Sequence, residues 1–438
     1  MATLQEPEND TNKPVLHGGE KTITAEAPGS YFHGPLEIGK EEIDAVTRVL
    51  QSKSLFRFFK DRSESPTAQF EDLVAEKSGA KYALAMNSGT SALISGLVGI
   101  GVSEGDEVLV PAYTYIASAA AVLTLGAIPV IVEVDEALTI DPEDIARKIT
   151  PRTKAIIPVH MRGVPCDMDP IMAVAKEHNL KVLEDCAQAN GGEYKGRALG
   201  TIGDAGAFSL QHFKIITAGE GGVLVTNDKE VFDRAAVYHD SAYAFWMEGK
   251  IKTEDEAAFE KWRENGFLGQ NFRQSELHGA VALEQLKKRD AILSRTRYIK
   301  SRLREACKEL PGIEVEKSHD LEGDCGISLA IFGETSEDAI RVAELLLAEG
   351  IACGTRFSRQ IPDRHVFYHW DYIMKKRSPH RSGFPWNNTD IEYTKEMCPK
   401  TLAHLDRVIT IAITQQMSDP YVDQVCEAIR KIARYLQA

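Results

Sequence analysis

Residues 105–134 read GDEVLVPAYTYIASAAAVLTLGAIPVIVEV. This stretch holds two short apolar runs, 107–111 and 128–134, separated by an apolar segment of helical length that ends at Gly126. Neither run alternates apolar and polar residues, which is typical of strands buried on both faces of a parallel sheet. The order strand, helix, strand therefore predicts a parallel α/β unit.

The same alternation continues on both sides of this stretch. Further apolar runs predict strands, and the segments between them predict helices. Asp141 followed by Pro142 marks one helix start, because Asp accepts hydrogen bonds from free N–H groups and Pro suits the first turn. The predicted strands are 82–85, 107–111, 128–134, 154–160, 181–185, 205–210 and 222–226, and the predicted helices include 40–52, 116–126, 141–149 and 169–179.

The pattern divides the chain into three parts. Residues 1–34 are polar and rich in Pro and Gly, which predicts an N-terminal arm. Residues 35–285 carry the alternation and predict a large α/β domain, with a mostly parallel sheet flanked by helices. Residues 286–438 begin with a long helical stretch and predict a smaller C-terminal α+β domain. The charged and irregular residues 241–266 predict an excursion on the surface.

The overall composition argues against several classes of binding partner. With 65 acidic and 51 basic residues, the formal charge is -14, so the surface repels nucleic acid and anionic lipid. The seven cysteines are scattered, with no C-x-x-C pair, which argues against a disulfide framework or zinc site and favours a reducing compartment. No signal peptide or membrane span is recognisable. We therefore expect a cytoplasmic protein without a metal.

Polar and aromatic residues follow the predicted strands at their carboxyl ends. In open α/β sheets, ligands bind in the crevice beyond those ends. The side chains expected to meet there are Ser88, Gly89, Thr90, Tyr115, His160, Asp185, Gln188, Ser209 and Lys214.

These residue types fit one cofactor. The turn at residues 88–90 opens a helix and offers a hydroxyl and free N–H groups to a phosphate. Tyr115 offers a face to a planar ring, and Asp185 offers a carboxylate that keeps a ring nitrogen protonated. Lys214 offers an amine that can form a Schiff base. The sequence therefore predicts a pyridoxal 5′-phosphate (PLP) site.

Six segments resemble, in the same order, those of the DegT/StrS family of sugar aminotransferases, and the resemblance spans roughly residues 35–300. Within that family, it is nearest to enzymes that aminate an octulosonate sugar acid, and next to those that aminate scyllo-inosose-type cyclitols. The segments are NSGTSAL (87–93), GDEVLVPAYTYIAS (105–118), PRTKAIIPVH (151–160), LEDCAQANGG (183–192), FSLQHFKIITAGEGGVLVTND (208–228) and GQNFRQSELHGAVALEQL (269–286).

The resemblance implies a fold-type I PLP enzyme that works as a homodimer, with each active site between two subunits. It implies that Lys214 carries the cofactor and moves protons, and that Asp185 pairs with the pyridine nitrogen. It further implies that Gln188 contacts the phenolic oxygen and that Tyr115 stacks on the ring. The implied phosphate contacts are Gly89, Thr90, Ser209 and, from the neighbouring subunit, Asn271, with Arg273 beside it.

Substrate contacts are less specified. His160, Arg57, Arg273 and Arg356 are candidates, because Arg holds carboxylates through two hydrogen bonds. A strand-end histidine is more often structural, however, and a lone arginine is more often solvated. The segment 354–370 departs from the family's aromatic-proline pattern, which leaves the acceptor open.

The resemblance implies transamination in two half-reactions, with glutamate or glutamine as amino donor. The acceptor is expected to be a carbonyl of a sugar, sugar acid or cyclitol, in amino sugar, polysaccharide or antibiotic biosynthesis. Two alternatives stay open. Related PLP-dependent sugar dehydratases carry histidine where Lys214 stands here, and a non-catalytic PLP-binding regulator requires a basic DNA-binding or a partner-binding segment that the sequence does not show.

Overall fold

The computed structural model describes residues 12–241, 266–355 and 357–438. Thirteen strands form two larger sheets and one small two-stranded sheet in the described residues. The strands are β1 (Tyr82–Met86), β2 (Glu107–Pro111), β3 (Ile128–Val132), β4 (Thr153–Ile156), β5 (Lys181–Asp185), β6 (Glu193–Tyr194), β7 (Arg197–Ala198), β8 (Ala205–Ser209), β9 (Gly222–Thr226), β10 (Ile313–Val315), β11 (Ser328–Gly333), β12 (Cys353–Thr355) and β13 (Val408–Ala412).

Helices cover the sheets and link their strands. The helices are α1 (His33–Leu36), α2 (Lys40–Ser52), α3 (Pro66–Ser78), α4 (Gly89–Gly99), α5 (Ala117–Thr124), α6 (Pro142–Lys148), α7 (Met168–Glu177), α8 (Lys229–His239), α9 (Glu276–Cys307), α10 (Ser336–Glu349), α11 (Asp371–Met374), α12 (Pro399–Asp406) and α13 (Asp419–Gln437).

The central sheet has seven strands in the order β1-β9-β8-β5-β4-β2-β3. Neighbours from β8 through β5, β4 and β2 to β3 run parallel. Only β9 runs antiparallel to its neighbours, β1 and β8. Every residue of β2, β3, β8 and β9 is buried, as expected for a sheet covered on both faces. The predicted α/β class with a mostly parallel sheet is confirmed.

The predicted helix at residues 40–52 is present, and its larger apolar side chains are divided between the buried face and the surface. Ile43 is 63% exposed, whereas Ala45 and Val49 pack against Ala280 of α9. Glu42 also turns inward, where its carboxylate lies 2.8 Å from Lys288 Nζ. The close approach of two helices favours small side chains and one ion pair here over the larger isoleucine.

A second, antiparallel sheet forms the C-terminal part, in the order β10-β11-β13-β12. Helix α9 leads into it and runs unbroken through residues 285 and 286, where the sequence places the domain boundary. The described part of the predicted arm packs on this sheet's helices, since the N–H groups of Val15 and Thr22 donate to Glu349 of α10. The predicted excursion at 241–266 lies almost entirely outside the described residues.

No helix in the described part of the chain is both long and apolar enough to cross a bilayer. Helix α9 is the longest, and it carries many charged residues along its length.

The interior position of β2 leads to a stability prediction. Leu109→Ala removes a side chain with no exposed surface, so we expect the free energy of unfolding to fall by about 3 kcal/mol through lost burial and a residual cavity. Leu347→Ala on α10, where the leucine is 50% exposed, is the control and should change it by less than about 0.5 kcal/mol. Urea denaturation measures both. Equal losses would contradict the placement of β2 inside the sheet.

Candidate active site

A cavity of about 650 Å³ opens at the carboxyl ends of the central strands. This volume is within the range of small-molecule sites. Its walls bring together residues that are far apart in the chain. The predicted site residues that line it are Ser88, Gly89, Thr90, Tyr115, Asp185, Gln188, Ser209 and Lys214.

Asp185, the last residue of β5, is buried at the base of this cavity. Ser118 Oγ donates to Asp185 Oδ2 at 2.8 Å, and the Ala187 N–H donates to Oδ1 at 3.0 Å. Burial nevertheless raises the pKa of the Asp185 carboxyl above its ordinary value. A cationic partner in the cavity would offset the cost of this buried charge.

Lys214 lies in the loop between β8 and β9. Its backbone is fixed there, because its carbonyl accepts from the Gly34 N–H and its N–H donates to Gln211 O, both at 3.0 Å. Burial lowers the pKa of the Lys214 amine, against the opposing effect of Asp185 and Glu220. A lowered pKa raises the fraction of neutral amine, which is the nucleophilic form.

An anion cradle lies at the N-terminus of α4. Ser88 caps this helix by accepting from the Ser91 N–H at 3.0 Å, while the first helical N–H groups, at Gly89 and Thr90, have no partner within the helix. A Cβ at Gly89 would lie 2.7 Å from Ser209 Cβ, and one at Gly222 would lie 2.3 Å from Ser88 O. Only glycine permits this close approach, which leaves N–H groups and hydroxyls together for a phosphate.

Gln188 and Tyr115 complete the wall. Gln188 Oε1 accepts from the Arg162 N–H at 3.0 Å, so the Nε2 of the same amide is the group left to donate into the cavity. Tyr115 is 41% exposed, and its ring centroid lies 5.3 Å from that of His365. The cavity thus combines a carboxylate at its floor, an amine, an anion cradle and an aromatic face, and all four suit PLP.

Further residues of the site were not predicted from the sequence, among them Ser118, Arg162, Gln211, Asp363 and His365. Ser118 follows Tyr115 by one helical turn, and this spacing was the available signal. The local sequence around Asp363 and His365 did not indicate a site, because these residues reach the cavity only where their segment pairs with a part of the chain that is distant in sequence. The Thr114 N–H donates to His365 O at 2.9 Å.

His160 does not reach the cavity. Its Nε2 lies 3.1 Å from Glu184 Oε2, and its Nδ1 accepts from the Cys166 N–H at 3.1 Å. Glu184 also accepts from backbone N–H groups of the loop after β7. His160, Glu184 and Cys186 lie close enough to suggest metal ligands, but these bonds already occupy His160 and Glu184. The structural alternative for His160 is the one observed.

Two of the candidate arginines, Arg57 and Arg273, also lie elsewhere. Arg57 is buried, with Nη2 at 2.5 Å from Glu71 Oε1 and Nη1 donating to Ala85 O, because that interior carboxylate requires a cation. Arg273 pairs with Asp240 and lies over the Phe56 ring. Neither arginine lines the cavity.

Two other predicted contacts remain predictions. Asn271 is exposed on this chain and does not line the cavity, and its Oδ1 accepts from the Arg273 N–H at 3.4 Å. Arg356 lies outside the described residues.

Known proteins resemble nearly the whole chain. The Bacillus subtilis spore coat polysaccharide biosynthesis protein SpsC is 33% identical over 407 residues, which are 91% of this chain and 95% of that protein. A putative L-glutamine:3-amino-2,3-dideoxy-scyllo-inosose aminotransferase of Micromonospora echinospora is 34% identical over 305 residues, 69% of this chain and 68% of that protein. The X-ray structure of an aminotransferase from Psychrobacter cryohalolentis has a TM-score of 0.74 and 28% identity, covering 92% of this chain and 98% of that chain.

These likenesses and the geometry of the cavity define a PLP-dependent aminotransferase. The family model described as the DegT/DnrJ/EryC1/StrS aminotransferase family matches residues 36–430, and the chain belongs to that family. The resemblance and the cofactor predicted from the sequence are thereby confirmed.

The close approach at Gly222 yields a binding prediction. Gly222→Ala places a Cβ 2.3 Å from Ser88 O, so the anion cradle must shift, and we expect the affinity for PLP to fall at least ~10-fold, or ~1.4 kcal/mol. Gly354→Ala is the matched control, because nothing lies within 4 Å of the added Cβ. Titration of the apo-protein with PLP, followed by fluorescence, measures both. Unchanged affinity in Gly222→Ala would place the phosphate elsewhere.

Proposed function

We propose that this protein transfers an amino group from glutamate or glutamine to a carbonyl carbon of a sugar, a sugar acid such as an 8-oxo-3-deoxy-octulosonate, or a cyclitol. One observation carries the proposal: Lys214 and Asp185 line the same cavity, and burial shifts the pKa of each toward its neutral form. A neutral amine and a carboxylate in need of a cation are the two groups that a pyridine aldehyde requires.

The residues divide the work as follows. PLP, when bound, supplies an electron sink for the carbon that loses its proton. Asp185 holds the ring nitrogen in its protonated form, and Ser118 and the Ala187 N–H keep the carboxylate aimed at it. Lys214 would anchor the cofactor and, once the donor has displaced it, its Nζ would take the proton from the donor's α-carbon and return it to the cofactor carbon on the other side of the bridging nitrogen. The N-terminus of α4 holds the phosphate.

The rest of the cavity favours an acceptor rich in hydroxyl groups. Thr114, Gln211 and His365 line it with polar atoms, and Tyr115 adds an aromatic face. His365 Nδ1 lies 2.8 Å from Asp363 Oδ1, which fixes the orientation of the imidazole. Two of the similar proteins named above are, by their names, a spore coat polysaccharide biosynthesis protein and a putative aminotransferase of an amino-dideoxy-scyllo-inosose. This agrees with a role in polysaccharide or antibiotic biosynthesis.

Transamination is favoured over the sugar dehydratase alternative by Lys214 itself. The dehydratases carry histidine at this position, and the nearby His212 does not take it over, since the cavity is lined by Lys214 and not by His212.

We also propose a cytoplasmic homodimer. All seven cysteines are free thiols, which suits a reducing compartment. The exposed Asn271 is then available to reach the phosphate of the partner subunit, with Arg273 beside it.

Reaction with the donor alone tests the first half of the proposal. Purified protein with bound PLP should lose its visible absorbance band on addition of glutamate or glutamine, as the cofactor takes the amine. Lys214→Ala should lack the original band and turn over at least ~10³-fold more slowly, because base and anchor are both lost. Lys40→Ala, at an exposed position of α2, is the control and should behave as wild type.

The acceptor is identified by the return of the visible absorbance band. The amine-loaded protein is mixed with keto sugars, octulosonate aldehydes and keto cyclitols, and the true acceptor should restore the visible band. Full turnover by Lys214→Ala, or the absence of any PLP spectrum, would refute the proposed function.

A further inference from the structure

The turn at residues 161–163 lies between Gln188 and the C-terminal sheet. On one side, the Arg162 N–H donates to Gln188 Oε1 at 3.0 Å. On the other side, the Cys325 N–H donates to Gly163 O at 3.0 Å, and a Cβ at Gly163 would lie 2.8 Å from Cys325 Cβ. Movement of this turn therefore displaces the hydrogen bond that orients the Gln188 amide.

Arg162 has an uncommon backbone conformation for a residue with a side chain. Its φ is 59° and its ψ 20°, in the left-handed region, which residues other than glycine rarely adopt. Such a conformation persists when the surroundings hold it in place. The contacts of the Arg162 side chain are the candidates for that hold.

The Arg162 guanidinium is buried and held from two directions. Its Nη1 donates to Glu316 Oε2 at 2.8 Å, and its Nη2 donates to Ala137 O at 3.1 Å. Glu316 directly follows β10 and lies 154 positions further along the chain. This ion pair thus joins the chain just after β10 to Arg162 in the wall of the cofactor cavity.

Glu316 is itself anchored in a buried network of balanced charge. Lys300 Nζ lies 2.6 Å from Glu316 Oε1 and 2.7 Å from Asp324 Oδ2. Burial acts to raise the pKa of Glu316, but the Lys300 and Arg162 cations hold it below its ordinary value. Glu316 therefore remains an anion with a fixed position.

We propose that Glu316 is a positioning residue for the cofactor: through Arg162 it fixes the 161–163 turn, so that Gln188 directs its Nε2 hydrogens at the phenolic oxygen of PLP. The inference rests on the proposed role of Gln188 toward that oxygen.

This arrangement has a spectroscopic consequence. A hydrogen-bond donor at the phenolic oxygen of PLP stabilises the negative charge on that oxygen. A proton on Lys214 Nζ, where it is joined to the cofactor, partly neutralises the same charge. The donor therefore makes uptake of this proton less favourable and lowers the pH midpoint of the visible absorbance change. Loss of the donor raises the midpoint.

Glu316→Gln tests the proposal, because it keeps the side-chain shape and removes the charge that holds Arg162. We expect the pH midpoint to rise by about half to one unit, in the same direction as in Gln188→Ala. We also expect the two changes together to raise it no further than Gln188→Ala alone, because Glu316 acts through Gln188.

Glu349→Gln is the matched control. Glu349 is buried and paired with Lys431 at 2.8 Å, but it contacts the N-terminal arm and not the turn. It should lower stability without moving the midpoint. Should Glu316→Gln not fold, Arg162→Met with Glu316→Leu removes both charges, leaves Lys300 paired with Asp324, and should give the same rise.

The possible failures can be told apart. A wild-type protein without a visible PLP band would overturn the proposed function and this inference together. A normal band whose midpoint does not move in Glu316→Gln, or a shift that adds to that of Gln188→Ala, would overturn this inference alone.

Discussion

The buried carboxylate of Asp185 is the interaction on which the rest of the site depends. It lies at the end of β5, the central strand of a seven-stranded sheet, with Ser118 and one backbone N–H as its donors. Moving a carboxylate out of water costs several kcal/mol unless a cation and hydrogen bonds offset the loss. The protonated ring of PLP is such a cation, so the fold holds Asp185 in a state that the cofactor stabilises.

The parallel arrangement of strands extends this constraint to the other groups. Strands β1, β5 and β8 end at one edge of the sheet. Asp185 is the last residue of β5, and the residues that follow β1 and β8 provide the phosphate cradle and Lys214. The C-terminal sheet adds support from behind. Its Glu316 holds Arg162, and the Arg162 N–H in turn orients Gln188. Both sheets thus help to form the cofactor pocket, although all the cofactor contacts predicted on this chain lie at or after the ends of strands of the central sheet.

The sequence predicted the parts of the site whose geometry is local. A buried strand followed by a helix N-terminus places residues 88–90, and the predicted strand 181–185 places Asp185 at its carboxyl end, so both could be inferred from the local sequence. His160 shows the limit of such inference. Glu184 precedes Asp185 in β5, and successive side chains of a strand face opposite sides of the sheet. His160 hydrogen-bonds Glu184, on the side of the sheet that Asp185 does not face. Other contacts depend on tertiary packing that no local pattern encodes. Examples are the ion pair of Arg162 and Glu316, 154 positions apart, and the contact of His365 with Tyr115.

A crystal structure of the protein with PLP would show whether Asp185 and Lys214 hold the cofactor. We expect the pyridine nitrogen within hydrogen-bonding distance of Asp185, covalent density between the cofactor and Lys214 Nζ, and the phosphate at the N-terminus of α4 beside Ser209. A cofactor linked to another lysine, or with its ring nitrogen facing away from Asp185, would contradict this expectation.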